Sequence, residues 1–476
     1  MRKGAIVLAL IFTLFIFTFG YDEILSFVPK DFDVAIVVDD ASKNFVSLTK
    51  DVSFFKYMFS EEGLAFNLRV NNILDEAEKE SQVPKEVFKD AISKEVLIAS
   101  KGVVVNADDI TSLDINFYID LLRNIGANSI VVFESREPEN FLKFLSALTD
   151  LKLSKDDGYY IMQDKYTSVF AKVYKGYVVI SGNKASVERA ILSMDNEDEQ
   201  LIETNADVMN FFERNNGFIL GFFKGNSFKV SMGVDVKEEL KTDRFELVAY
   251  ATENRFVVDV KQYVNGNLEK PLNFLSSSDY MDALPKYGNY YMGISVKSSA
   301  EALNKIIRWF SGKSEDIDKI SKVFMMLLKN SSDKAYIMGD ISSASDVTFA
   351  ALIKFNKEKE EELKKVLVEY GARESEDGWV MSIGKESHLF FYYEDSYMIV
   401  SNIKKEKYEK LSKVKKLIDY PPYSYIKKYL PKKDILRVFV DVGDILYKTV
   451  GIKHSSVLMF YQIYEKGVFI YKLEVM

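Results

Sequence analysis

Two serine–lysine pairs carry the one enzyme-like spacing in this chain. Ser181-Gly182-Asn183-Lys184 and Ser401-Asn402-Ile403-Lys404 are both Ser-x-x-Lys, each between a predicted strand and a predicted helix. In serine acyl-enzymes of the penicillin-binding type, that spacing sets a lysine amine one helical turn from the serine, where it can help remove the proton. The companion Ser-Asp-Asn and Lys-Thr-Gly elements are missing, since Lys448-Thr449-Val450 lacks the glycine. Ser47 with Lys50 and Ser412 with Lys415 repeat the spacing outside any such setting. A serine between strand and helix is also what an N-cap requires. No catalytic residue is assigned.

Other reactive groups are sparse. Cysteine is absent, which excludes disulfides, thiolate metal sites and cysteine nucleophiles. Histidine occurs at 388 and 454 alone, too few for a transition-metal site, and they read as a strand residue and a loop residue. Acidic clusters stand at Asp39-Asp40, Asp108-Asp109 and Asp195-Asn196-Glu197-Asp198-Glu199. The last lacks the glycine and spacing of an EF-hand loop and reads as solvated, so no metal is expected. Ser311-Gly312-Lys313-Ser314 ends like a phosphate loop but lacks the earlier glycine and follows a helix, where glycine is a C-cap. No cofactor follows from it.

The elements that would position these groups come in two sets. Asp157-Gly158 through Ile191 aligns without a gap on Asp377-Gly378 through Leu411, at a constant offset of 220 (377 − 157). Tyr177-Val178-Val179-Ile180-Ser181 falls on Tyr397-Met398-Ile399-Val400-Ser401, and Lys184 on Lys404. A repeat this long means two copies of one folding unit. Each copy opens with Pro-Lys before a strand, at Val28-Pro29-Lys30 and Leu284-Pro285-Lys286, where proline needs no ladder partner. Phe45, Leu48, Val52 and Phe55, and in the second copy Leu303, Ile306, Ile307 and Phe310, then fall at helical spacing. The first copy alone inserts a helical stretch at about 60–92, and a further helix is predicted over 113–125.

Phe256, Val258 and Val260 alternate with polar residues, which predicts a sheet with one wet face. Short strands joined by tight turns predict an α+β fold in two tandem similar domains, 21–270 and 278–476. Each is expected to be a mainly antiparallel sheet with helices packed on one face. Aromatic runs at Tyr159-Tyr160, Tyr290-Tyr291, Phe390-Phe391-Tyr392-Tyr393 and 420–425 would then place rings on both faces. On an uncovered face they would bind a partner or greasy ligand; otherwise helices or the other domain bury them.

The Pro-introduced strand, the helix, and the strand Gly176–Ser181 with its second-copy partner resemble exported bacterial proteins grouped as domains of unknown function. The resemblance implies export and tandem α+β domains and brings no catalytic residues.

Residues 1–20 read as a signal peptide or N-terminal anchor. Arg2 and Lys3 precede an apolar run over 5–19, and Thr18-Phe19-Gly20 offers a cleavage site. The run falls short of the roughly 20 residues that span a bilayer. Export to the periplasm or beyond is expected, with residues 4–19 the membrane contact if uncleaved. Without Arg2 and Lys3 the basic count falls from 63 to 61 against 71 acidic residues, about −10, so nucleic acid is a poor partner. The charged and aromatic content resembles that of proteins that work hot. The expected function is a non-enzymatic envelope scaffold or interaction module with an envelope-protein partner. The alternatives are a carrier of an apolar ligand or lipid and, third, a Ser-x-x-Lys acyl hydrolase.

Overall fold

The computed structural model describes residues 22–61, 65–106, 126–225, 228–231, 241–252, 254–265, 275–276, 280–295, 322–324, 326–328, 330–343, 347–383, 387–394, 396–413 and 415–476. The predicted signal segment, the helix over 113–125, the helix bearing Leu303 to Phe310, Asp108-Asp109, Ser311 to Ser314 and most of 265–279 lie outside them. No described helix is long and apolar enough to cross a membrane. Contacts divide the chain into two compact units, 1–266 and 267–476. Helices combine with antiparallel sheet in both.

The first unit contributes β1 (Val34–Val38), β2 (Val96–Ser100), β3 (Val103–Asn106), β4 (Ser129–Glu134), β5 (Lys152–Asp156), β6 (Tyr159–Gln163), β7 (Ser168–Tyr174), β8 (Tyr177–Ser181), β9 (Ile219–Lys224), β10 (Phe228–Ser231), β11 (Lys241–Thr252) and β12 (Arg255–Asn265). Its main sheet runs β12-β11-β9-β1-β2-β4-β8-β7-β6-β5, antiparallel at every step. β3 and β10 form a separate parallel pair.

The second unit holds β13 (Leu275–Ser276), β14 (Tyr290–Ser295), β15 (Ser331–Ile341), β16 (Val347–Phe355), β17 (Arg373–Ser375), β18 (Gly378–Ile383), β19 (Ser387–Glu394), β20 (Tyr397–Ser401), β21 (Lys433–Asp434), β22 (Leu436–Asp441), β23 (Val457–Glu465) and β24 (Val468–Val475). Its order is β24-β23-β22-β14-β15-β16-β20-β19-β18-β17, again antiparallel throughout. Position by position this matches the first sheet.

Helices pack on both faces of the central strands of each sheet, which corrects the expected one-sided layer. In the first unit Ile130, Val132 and Val179 pack with Phe27, Val187 and Phe211. The intervening Phe133, Val178 and Ile180 pack on the opposite face with Phe88, Phe141 and Phe144. β8 is buried at every position, so neither of its faces meets water. The alternation that suggested a wet face belongs to β12, where Phe256 and Val258 meet Leu48, Val52 and Phe55. In the second unit Leu352 and Ile399 face Tyr423 and Ile426, while Ile353 and Val400 face Leu363 and Leu367. The predicted insertion forms the helices Phe66–Ser81 and Lys85–Ile92, the second opened by Pro84 as N-cap.

The gapless offset of 220 does not survive in three dimensions. Asp157 and Gly158 form the β5–β6 turn, at φ 48° and 77°. In the second unit Gly378 already pairs with Ser375, so the turn is Glu376-Asp377 and the matched glycine stands in the strand. Tyr160 and Met162 therefore correspond to Trp379 and Met381, an offset of 219, and each pair packs beneath the equivalent helices. Phe170 pairs with Ser181 and Phe390 with Ser401, which restores 220. The next helices start from N-caps Asn183 and Lys404, an offset of 221, with Val187 and Tyr408 buried in turn. A one-residue slip reverses the faces of a strand and turns a helix by about 100°. The loops absorb the slips so that apolar residues stay inside.

Candidate functional site

Both motif serines are engaged with backbone. Ser181 Oγ donates to the Ser129 carbonyl at 2.7 Å and accepts the Asn183 N–H at 3.2 Å. Ser401 Oγ donates to the Phe349 carbonyl at 2.7 Å and accepts the Ile403 N–H at 3.0 Å. Each ties its strand to the neighbouring one and steers the chain into the helix; neither is the N-cap. In the first unit that role falls to Asn183, whose Oδ1 accepts from the Ala185 N–H at 2.9 Å.

The lysines go elsewhere, and to different places. The Lys184 ammonium lies 4.7 Å over the Tyr159 ring and 5.7 Å from that of Phe170, a cation–π seat. Tyr159 donates to Glu188, which Lys172 also pairs at 2.7 Å. Burial, then this carboxylate, push the Tyr159 hydroxyl up to about 12. Lys404 is instead the N-cap and lines an open cleft. Ser181→Ala and Ser401→Ala should each cost about 1 kcal/mol, the net worth of a buried hydrogen bond. Paired denaturant melts read this directly, and a loss above about 3 kcal/mol would refute the assignment.

The other sequence candidates stay apart. His388 sits on β19 with Nδ1 3.3 Å from Ser382 Oγ, and His454 Nδ1 accepts the Ser456 N–H at 3.1 Å. Within the acidic loop Asp195 pairs with Lys175 at 2.8 Å and Glu199 with Lys30 at 2.7 Å. Among the described residues no three His, Asp or Glu side chains converge as a metal site would require. The aromatic runs are shared between the two layers: Tyr159 and Tyr160, like Phe391 and Tyr392, are buried on opposite sides of their sheets.

Among the described residues of the second unit, three polar constellations stand out. The first is a cavity of 540 Å³ lined by Lys404, Lys407, Lys410 and His388. Phe390 and Ile403 supply its apolar wall, and Glu406 its one acid. Glu406 is engaged by Lys410 at 2.7 Å, whose hydrogen bond and charge hold the carboxyl below its ordinary range.

The second surrounds Lys286, mostly buried where β14 begins. Its ammonium lies 3.5 Å from Asp441 and 4.3 Å over the Tyr420 ring. Burial lowers its pKa, while Asp441 and Asp444 oppose that shift. Tyr420 donates to Asp441 at 2.5 Å, Asp441 caps the helix Val442–Val450 through the Asp444 N–H, and Asn289 donates to Asp444 at 3.0 Å. Every member has partners within the network, which binds strand ends to a helix start.

The third is an ion pair sealed in the core. Arg437, 1 % exposed on β22, places Nη2 2.6 Å from Asp434 Oδ2. Tyr423 and Asp282 stand beside it, joined at 2.9 Å, and Lys427 pairs with Asp282. The sequence motifs did not include Lys407, Lys410 or Arg437, and Lys286 figured only in the Pro-Lys opening of the second copy. An arginine inside the apolar run Ile435-Leu436-Arg437-Val438-Phe439-Val440 was the available sign of a buried partner, and lysines at 404, 407 and 410 the sign of a basic helix face.

No protein-family model matches the chain, and no curated protein matches it. Among solved structures, crystal form I of TP0453 is similar at 11% identity and a TM-score of 0.28, over 53% of this chain and 82% of that one. Crystal form III of TP0453 gives 11% and 0.29, over 52% and 81%.

Proposed function

We propose that this chain is an exported, non-enzymatic protein of the cell envelope, a scaffold or interaction module built from two copies of one α+β domain. The observation that carries the non-catalytic part is the same in both units: Ser181 and Ser401 spend their hydroxyls on strand carbonyls. A general base must reach the proton it removes, and the first motif lysine instead sits on two aromatic rings. The shared strand order supports the duplication, and residues 1–20 support export. The envelope setting supplies the partner class, another envelope protein. The carrier reading gains no comparable support, because Tyr159, Tyr160, Tyr291, Phe391, Tyr392 and Tyr423, among the rings proposed for it, are buried between sheet and helices.

Two measurements test this together. Alkaline phosphatase fused after residue 30 should be active in a bacterial host, which requires export. A fluorophosphonate probe should leave Ser181 and Ser401 unlabelled in the purified protein. A fusion confined to the cytoplasm overturns the envelope assignment, and labelling lost in Ser181→Ala or Ser401→Ala overturns the non-catalytic one.

A further inference from the structure

We propose that the cleft beside the helix Lys405–Ser412 binds a phosphate-bearing ligand, the phosphate held by Lys404 and Lys407 and the ligand's apolar part resting on Phe390 and Ile403. Four observations lead there. The cavity, at 540 Å³, has the capacity of a small-molecule site. Three lysines and one glutamate give its lining a formal charge of 3 − 1 = +2 in a chain of net charge −8. That local charge matches a phosphate monoester, which carries about −1.5 to −2 at neutral pH.

Glu406 is occupied by Lys410, and no carboxylate of the described residues lies within ion-pair distance of Lys404 or Lys407. Lys404 and Lys407 are both exposed, and they line the same cavity as Phe390 and Ile403. The positive end of the helix adds to the field but would not make a site by itself. The first unit supplies an internal contrast. At the structural offset of 221, Lys404, Lys407 and Lys410 correspond to Asn183, Ser186 and Arg189. Asn183 is spent capping its helix, Ser186 is buried, and Arg189 pairs with Asp31. The cationic cleft therefore has no counterpart at the matching positions of the first unit.

A phosphate could come from a soluble ester or from a lipid headgroup. The full chain should be titrated with inorganic phosphate, with phenyl phosphate, and with phosphatidylcholine vesicles with and without phosphatidic acid. Phenyl phosphate should bind more tightly than inorganic phosphate, because only it reaches Phe390 and Ile403. Lys404→Gln with Lys407→Gln should weaken binding by about tenfold per lysine, as expected for charge-assisted hydrogen bonds. Lys428→Gln, an exposed lysine outside the cleft, should change nothing. Tight binding of the soluble ester identifies the first source, and vesicle binding that needs both phosphatidic acid and the two lysines identifies the second. The proposal fails if no probe binds, or if binding persists unchanged in the double variant while its circular dichroism matches wild type. Either failure leaves the export and probe-labelling results where they stand.

Discussion

Arg437→Met is expected to destabilise the second unit by about 3–5 kcal/mol, the penalty for breaking a buried ion pair from one side. Arg437 and Asp434 are 1% and 0% exposed, with Nε and Nη2 at 2.8 and 2.6 Å from one carboxylate oxygen. Removing the guanidinium leaves an anion with no water to solvate it, and that loss outweighs the apolar contacts methionine adds. The pair as a whole should matter far less than either half. Arg437→Met with Asp434→Leu removes both charges, and replacing a buried pair by apolar residues is often neutral or stabilising. Both tryptophans, Trp309 and Trp379, fall in residues 267–476, so urea melts followed by tryptophan fluorescence report this unit. A single variant within about 1 kcal/mol of wild type, or a double variant as weak as the single one, would show that the charges are not sealed as described.

Two glycines that sequence alignment equates should respond very differently to the same substitution. Gly158 lies in a turn at φ 77°, and an added Cβ there would meet nothing within 4 Å. Gly158→Ala should cost about 1–2 kcal/mol, the local price of a left-handed alanine. Gly378 lies in β18 at φ 139°, and its Cβ would stand 2.1 Å from the Phe391 carbonyl oxygen. That position combines a glycine-only backbone, about 1–3 kcal/mol, with the forced displacement of a packed strand, about 1–3 kcal/mol more. Gly378→Ala should therefore lose about 2–6 kcal/mol. Thermal melts by circular dichroism compare the two, and equal losses would restore the gapless alignment and remove the register slip.

That slip marks where local sequence stops deciding. The runs Val34–Val38 and Tyr177–Ser181 form strands and the stretch around 66–92 forms helices, because backbone propensity and apolar spacing act over a few residues. Asp157-Gly158 makes its turn for the same reason, since both residues accept positive φ. Asp377-Gly378 has the same letters and a different structure, because its backbone is set by pairing with Arg373–Ser375 and by the packing of Trp379 and Met381.

The candidate sites divide in the same way. Ser-x-x-Lys could be read from the sequence as a spacing, yet hydrogen bonds to residues 52 positions away decided what its serines do. A one-residue difference in the loop then sent Lys184 onto a ring and Lys404 to a cleft. By itself the sequence determined where strands, helices and several turns form, and that the chain holds few reactive groups. Tertiary structure alone decided that both faces of the central strands are covered, that Arg437 and Asp434 lie in the core, and that three lysines line one cavity. Asp434 and Arg437 are only three residues apart and the lysines share one helical stretch, but whether the pair is sealed from water and whether the lysines line a cavity depend on which distant segments pack over them.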